Sequence, residues 1–396
     1  MSRPTTTKNQ PLPWGWLSFP GNTCSLAPWH DPQNSPILLK APKVLHHGRF
    51  FMTFRVPSRA FISRKVQPIL EPLEDRRVPA IAMPLVASPG GGDAKAVIYD
   101  TKTETVRAWI QPFGPNVTSF RCACGDVNGD GVADYIFGTA AGYPPRVVAI
   151  DGVTLNVQRP LFSKYVFPVN FMGGVFVAAI NYDGTGPDEI VVGAGPGGGP
   201  HVKLFDLSTN PLLSFYAFNP NYSGGVSVAG NDLDNNGYEE IVTGSATTAS
   251  TVKVFEFNPV TKIIDLEQTF NAYPGFNGGI NIAVGNLIPG DTTGQIIVAT
   301  ASSPGFRPVM SVFTMDGKKL ASMPNYFSAT NGMTVGTIDP SGSGTQNIVT
   351  GPGRWTDRNY FQTNIVFEYT FAGNTFTRVK SYYPYGIVSK HVVFVG

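Results

Sequence analysis

The stretch Val175–Gly225 reads VFVAAINYDGTGPDEIVVGAGPGGGPHVKLFDLSTNPLLSFYAFNPNYSGG, and its reading decides the fold. It divides into four short runs rich in apolar and β-branched residues: Val175–Ala179, Ile190–Val192, Val202–Phe205 and Leu213–Phe218. An acidic loop separates the first two runs and a glycine-rich loop the second and third. A turn precedes the fourth, and Gly224-Gly225 closes the unit. Short runs bounded by Gly, Pro and Asn, with no long segment of helical period, predict strands.

The unit repeats. Asp126–Gly138, Asn181–Gly193, Asp232–Gly244 and Asp339–Gly351 share an acidic or amide start, a Gly five positions on and a β-branched run closed by Gly. Their starts lie 55, 51 and 107 residues apart, and the last interval is two periods. A degenerate copy fills the gap, where Asn286–Asp291 leads into Ile296–Val298. Gly173-Gly174, Gly224-Gly225 and Gly278-Gly279 punctuate successive units. Four-stranded units at this spacing predict propeller blades. Third-strand segments occur at Ala96–Tyr99, Val147–Ile150, Val202–Phe205, Val252–Phe255, Met310–Phe313 and Ile365–Phe367, so there are six blades. The N-terminal blade has only strands two to four, within Leu85–Ile110, and the run His391–Val395 supplies its missing strand. The expectation is an all-β fold: a six-bladed β-propeller of four-stranded blades over 81–396, closed by the C-terminal strand completing the N-terminal blade. Closure in this way leaves no open sheet edge.

Asp126–Asp134, DVNGDGVAD, followed by Tyr-Ile-Phe-Gly, resembles the FG-GAP repeat of integrin α-subunit propellers and the VCBS-type repeats of secreted bacterial proteins. Val191–Val202 is similar to the repeat form of planctomycete surface proteins. The resemblance covers 86–395 and implies that the hairpin between strands one and two binds calcium. It also implies adhesion or ligand binding in place of catalysis. The residues point the same way independently, because calcium takes six to eight hard oxygen ligands and an alternating D-x-N-x-D loop turns every second side chain inward. In the first loop Asp126, Asn128, Asp130 and Asp134 offer side-chain oxygens and Val132 a carbonyl, with Gly131 permitting the turn. In the loop at 232 the same parts are Asp232, Asp234, Asn236 and Glu240, with the Tyr238 carbonyl and Gly237. Asn181, Asp183, Thr185 and Glu189 keep the pattern with fewer charges, so that loop is expected to bind more weakly. The loop of Asp339, Ser341, Ser343 and Asn347, like that at 286, reads as metal-free. Asp, Asn and Gly also build ordinary hairpin turns; repetition in phase is what favours a metal. An EF-hand is excluded, since its twelfth position falls on Phe137 or Thr243 and the flanks are strands.

Residues 1–80 are different material, rich in Pro, Arg, Ser and Thr without strand or helix period, and read as a mostly disordered export segment. Leu70–Ala80, LEPLEDRRVPA, resembles the LEPLEDR-type segment near the N-terminus of exported planctomycete proteins, which follows a basic stretch such as Arg55–Lys65. Because that stretch begins just after Met52, translation is expected to start there. The resemblance implies an extracellular or cell-surface location, although no ordinary apolar signal core is present.

A net charge of +2 with no basic stripe argues against nucleic acid as a partner. No run reaches the length of a membrane helix. Cys122 and Cys124 share a strand face and read as small buried hydrophobes. Gly193–Gly198 matches GxGxxG formally, but a β run follows where a phosphate-binding helix should start. HExxH, GxSxG and P-loop motifs do not occur.

The loops opposite the acidic hairpins carry Arg146, His201 and Arg307, and a longer non-repeated loop carries Trp355, Arg358 and Tyr360. Arg and aromatic residues are enriched at binding surfaces, so this face is the candidate docking face for an extracellular protein or glycan. Phe171, Tyr222 and Phe276, just before the glycine pairs, read as packing between blades. The expected function is a monomeric, non-enzymatic, calcium-binding adhesion or scaffold module. The alternative is a polysaccharide lyase or hydrolase on the same propeller, which would need paired carboxylates, Lys or His converging on one face or on the central channel.

Overall fold

The computed structural model describes residues 18–19, 22–23, 85–89, 94–208, 210–258, 260–303, 306–324, 332–353, 365–385 and 393–395. The chain divides into two units, Met1–Asp75 and Arg76–Gly396. In the first, Ser18–Phe19 pairs antiparallel with Asn22–Thr23. The segment Leu70–Ala80 lies outside the described residues.

The second unit is a six-bladed β-propeller of four-stranded antiparallel sheets. Blade one joins Val393–Val395 to Leu85–Pro89, Ala96–Asp100 and Thr105–Ile110. Blade two runs Phe120–Gly125, Asp134–Thr139, Arg146–Ile150 and Phe162–Tyr165. Blade three runs Val175–Ile180, Glu189–Ala194, His201–Phe205 and Leu213–Tyr216. Blade four runs Val226–Asn231, Glu240–Ser245, Thr251–Phe257 and Ile264–Asn271. Blade five runs Ile280–Gly285, Gln295–Thr300, Val309–Phe313 and Lys319–Pro324. Blade six runs Met333–Ile338, Asn347–Pro352, Val366–Ala372 and Thr375–Tyr382.

The first strand of each blade lies innermost, beside the first strands of its two neighbours all the way round. Each blade buries both faces against its neighbours, and six apolar clusters fill the six gaps between blades. This is why Asp134–Thr139, Glu240–Ser245 and Gln295–Thr300 are buried along their whole length, whereas the outermost strand Thr375–Tyr382 is largely exposed. The glycine pairs let one blade approach the next. Gly174 has φ +67°, and a Cβ there would sit 2.3 Å from the carbonyl carbon of Ala140 in the preceding blade. In blade three the first hairpin pairs right up to its loop, Ile180 opposite Glu189, so the first two strands are longer than the apolar runs alone. Cys122 is buried and Cys124 packs against the same cluster between blades one and two.

The ring closes where Val393, Phe394 and Val395 pair with Pro89, Ser88 and Ala87. His391 and Val392 lie outside the described residues. Val395 is buried with Leu85, Ala87, Val349 and Tyr382 in the cluster between blades six and one. Deleting Val393–Val395 bares the edge of Leu85–Pro89 and opens that cluster. Differential scanning calorimetry is expected to show the melting temperature falling by at least about 5 °C, since even ~1–2 kcal/mol shifts a domain by several degrees. An unchanged transition would refute closure by this strand.

Candidate functional site

In blades two, four and six the hairpin between the innermost strand and its neighbour opens with an Asp that organises the loop. In blade two, Asp126 Oδ1 accepts the N–H groups of Gly129 (2.7 Å) and Asp130 (3.1 Å), and Oδ2 accepts that of Gly131 (2.8 Å). Asp232 does the same in blade four, with Oδ1 on Asn235 and Asn236 and Oδ2 on Gly237. Asp339 does so in blade six, with Oδ1 on Ser341, Gly342 and Ser343 and Oδ2 on Gly344. Val132 and Tyr238 close their turns with N–H groups held by Asp130 Oδ1 and Asn236 Oδ1, each at 2.8 Å.

The residue at the far end of the hairpin distinguishes the blades. Asp134 is fully buried; its Oδ2 accepts from the Val127 N–H (3.1 Å) and its Oδ1 from the Gly152 N–H (2.8 Å). Asn128 Nδ2 lies 3.3 Å from Asp130 Oδ2 and 3.5 Å from Asp134 Oδ1. Glu240 is only 1% exposed, and its Oε2 accepts from the Leu233 N–H (2.7 Å), but its Oε1 has no hydrogen-bond partner. Carboxylate oxygens of Asp232, Asp234 and Glu240 converge to within 4.8 Å of one another. In blade three Glu189 Oε2 and Asn181 Oδ1 are likewise buried without a partner, while Asp183 Oδ1 accepts from the Thr185 N–H and hydroxyl. In blade six Asn347 Nδ2 donates to Glu368 Oε1 at 2.5 Å, and in blade five Gln295 Oε1 accepts from Leu287 at 2.8 Å. The sequence ranks the loops at 126 and 232 together; the geometry separates them. Asp134 spends both oxygens on backbone amides, whereas Glu240 keeps one open.

Burial is the main cause that pushes Asp134 up to about 6, and Glu189 and Glu240 up to about 8, with neighbouring carboxylates adding to it. Such groups resist carrying charge together unless a cation offsets it.

Two acids that sequence reasoning missed sit next to the predicted ligands. Asp188 Oδ2 accepts the Asp126 N–H (2.8 Å) while its own N–H donates to the Asp126 carbonyl (2.8 Å). Glu239 forms the same clasp with Asn181, at 2.9 and 3.3 Å. A Cβ built on Gly125 would sit 2.2 Å from the Ala179 Cβ and 2.7 Å from Asp188 Oδ2, so the glycine leaves room for both. Asp188 and Glu239 line an axial cavity of about 160 Å³ with Cys124, Asn231 and Gln346. Burial pushes them up to about 6 and about 7. The signal that could have found them is strand alternation: in Asp188-Glu189 and Glu239-Glu240, adjacent acids must face opposite sides.

On the opposite face, Arg146 Nη2 donates to Ser163 Oγ (2.9 Å) and its guanidinium lies 5.9 Å from the Phe113 ring. His201 Nε2 lies 2.7 Å from Ser214 Oγ, and its ring rests between Phe167 and Tyr216. Arg307 and Phe306 are exposed, and Phe306 stacks on the buried Phe276. Tyr222 donates to the Thr247 carbonyl, and the Phe171 ring packs over Gly173. Phe171, Met172, Pro168 and Pro196 border a shallow groove between blades two and three. Trp355, Arg358 and Tyr360 lie outside the described residues.

No family model and no curated protein matches the chain. Among solved structures it is similar to a protein of unknown function from Bacteroides caccae (10% identity, TM-score 0.47, covering 79% of this chain and 98% of that one). It is also similar to the Dos1 propeller (14%, 0.40, 79% and 74%) and to rhamnogalacturonan lyase YesW (15%, 0.38, 74% and 59%). Likenesses at this level carry no assignment of activity.

The raised carboxylates set a pH dependence. Without a bound metal ion, the folded chain holds protons on Asp134, Glu189 and Glu240 that the unfolded chain has already released above the ordinary carboxylate range of about 4. Their stabilising contribution is complete below that range and is lost as pH rises through about 6 and then about 8. Melting temperatures in chelator are therefore expected to fall from pH 5 to pH 8.5. A flat or rising profile would contradict the buried, uncompensated state of these groups.

Proposed function

We propose that this chain is a calcium-binding propeller of the FG-GAP and VCBS kind, exported to the cell surface or beyond. There it acts as an adhesion, scaffold or ligand-binding module without catalysis. The observation that carries the calcium reading is the partnerless Glu240 Oε1, buried and converging with Asp232 and Asp234. The donor set fits the ion: every group is a hard oxygen, and the loop adds Asn236 and the Tyr238 carbonyl, as calcium prefers. Asp126, Asn128, Asp130, Val132 and Asp134 would hold a second ion, and Asn181, Asp183, Thr185 and Glu189 a third, weaker one. Calcium bound there offsets the repulsion among these carboxylates and ties the hairpin to the strand ladder.

The non-catalytic reading is supported by how the titratable groups near the axis are used. Asp188 and Glu239 are the paired carboxylates that a lyase or hydrolase would need, and their raised proton affinity favours that second reading. Yet each gives an oxygen to a backbone N–H of the preceding blade, and a cavity of about 160 Å³ is too small for a drug-sized ligand, let alone a saccharide chain. His201 is occupied by Ser214 and flanked by rings. A monomer offering the face of Arg146, His201 and Arg307 to a protein or glycan is the arrangement that this reading favours. A glycan array with and without chelator, run beside turnover assays on anionic polysaccharides, tests it. Calcium-dependent binding without turnover is expected, and turnover lost on Asp188→Asn would transfer the assignment to the enzyme.

Calcium should raise the melting temperature, because the folded hairpins bind it and the unfolded chain barely does. At a hundredfold excess over Kd the linkage is about 2.7 kcal/mol per site. Calorimetry is expected to show Asp126→Ala with Asp232→Ala removing most of that shift. Asp339→Ala should lower the starting melting temperature, since it strips a loop of its backbone bonds, yet leave the calcium shift intact. No shift in the wild type, or one lost with Asp339→Ala, would sink the assignment.

A further inference from the structure

The residues facing the end of each acidic hairpin across the next ladder follow a pattern. Tyr135 pairs with Ile150, Ile190 with Phe205 and Ile241 with Phe255, which sets Asp134 beside Asp151, Glu189 beside Asp206 and Glu240 beside Glu256. In blades five and six, Ile296 pairs with Phe313 and Ile348 with Tyr369, so the facing residues are Gln295 with Thr314 and Asn347 with Thr370. Like charges facing one another across a ladder are destabilising. The chain places them only in the blades whose hairpins carry the ligand pattern, and among the described residues no Lys or Arg forms an ion pair with them.

In two of these blades the third-strand acid has another task. Asp151 Oδ1 accepts the N–H groups of Val153 and Thr154, and Asp206 Oδ1 that of Ser208, so both cap the following turn. Blade four hands that task to Asn258, whose Oδ1 accepts from Val260 and Thr261. Glu256 is left pointing at the hairpin. Its Oε1 lies 3.3 Å from Asn236 Nδ2, and the same Nδ2 lies 3.2 Å from Asp234 Oδ2. An amide N–H₂ thus bridges two carboxylates at the rim of the space into which Glu240 Oε1, buried and without a partner, is turned.

Resting on the calcium reading above, we infer that Glu256 is a further oxygen donor of the blade-four cation site, reaching it from the third strand. The hairpin alone offers five donor groups, Asp232, Asp234, Asn236, Tyr238 and Glu240, which reach the six to eight oxygens that calcium takes only where a carboxylate binds through both oxygens or water completes the shell, and Glu256 supplies another. A donor on a separate strand makes the cage wide and adaptable. That suits calcium and not magnesium, which demands a tight octahedron and keeps its waters.

The test is isothermal titration of chelator-stripped full-length protein with calcium chloride, and separately with magnesium chloride. It is done in an Asp130→Asn, Asp183→Asn background that leaves blade four as the intact site. E256Q is expected to weaken calcium binding by about tenfold or more at unchanged stoichiometry. It should leave magnesium binding nearly unaltered, and the metal-free melting temperature should not fall, because a repelling charge has gone. E256D, which keeps the charge on a shorter arm, should fall between. Unchanged calcium affinity in E256Q, with binding still abolished by Asp232→Ala, would overturn the role of Glu256 while sparing the calcium reading. Absence of binding in the background protein itself would overturn both.

Discussion

The hairpins of blades two to five are each held to the next blade by a backbone hydrogen bond. The Asp126 carbonyl accepts from Asp188 (2.8 Å), Asn181 from Glu239 (3.3 Å), Asp232 from Gly294 (2.9 Å) and Asn286 from Gln346 (2.8 Å). The bond uses a carbonyl, so the residue that bears it can be Asp in one blade and Asn in the next. What it requires is the hairpin's position, and it thereby fixes each of these four hairpins against the following blade. The glycine pairs on the other rim, of which Gly174 is the clearest, bring the blades close enough for the apolar clusters to fill the gaps. Pairing of Val393–Val395 with Ala87–Pro89 then leaves no sheet edge at the joint.

Within the hairpins at 126 and 232 the labour is divided. The opening Asp folds the loop through backbone N–H groups, and it does so in blade six, where the other ligand positions are Ser and Asn, as well as in blades two and four. The closing acid is sunk into the ladder, where charge is costly. Asp134 recovers part of that cost from two amides; Glu240 recovers it on one oxygen only. Of these two hairpins, that of blade four is thus the one where a cation would contribute more, and Glu256 adds to the same demand from the neighbouring strand.

Much of this was legible in the sequence, because a blade is a local unit and its strands follow one another without crossing. The count of third strands, together with the spare run at the C-terminus, yields six blades and their mode of closure, and the D-x-N-x-D spacing marks the hairpins. What was not legible arises between units. Asp188 and Glu239 read as part of one acidic run with Glu189 and Glu240; only their alternation in the strand turns them to the axis, and only the preceding blade gives them partners. The difference between the hairpins at 126 and 232 depends on the Gly152 N–H, which comes from beyond the third strand. Glu256 escapes a linear reading because its strand extends past a bulge at Val254 and Phe255, moving the turn to Asn258.

Anomalous diffraction from crystals of the protein soaked in terbium, a calcium substitute with strong anomalous scattering, tests the central claim most directly. The strongest peak should stand among the carboxylates of Asp232, Asp234 and Glu240, with weaker peaks in the hairpins at 126 and 181 and none at Asp339. A map with no peak in the blade-four hairpin, or one equally strong at Asp339, would contradict the account.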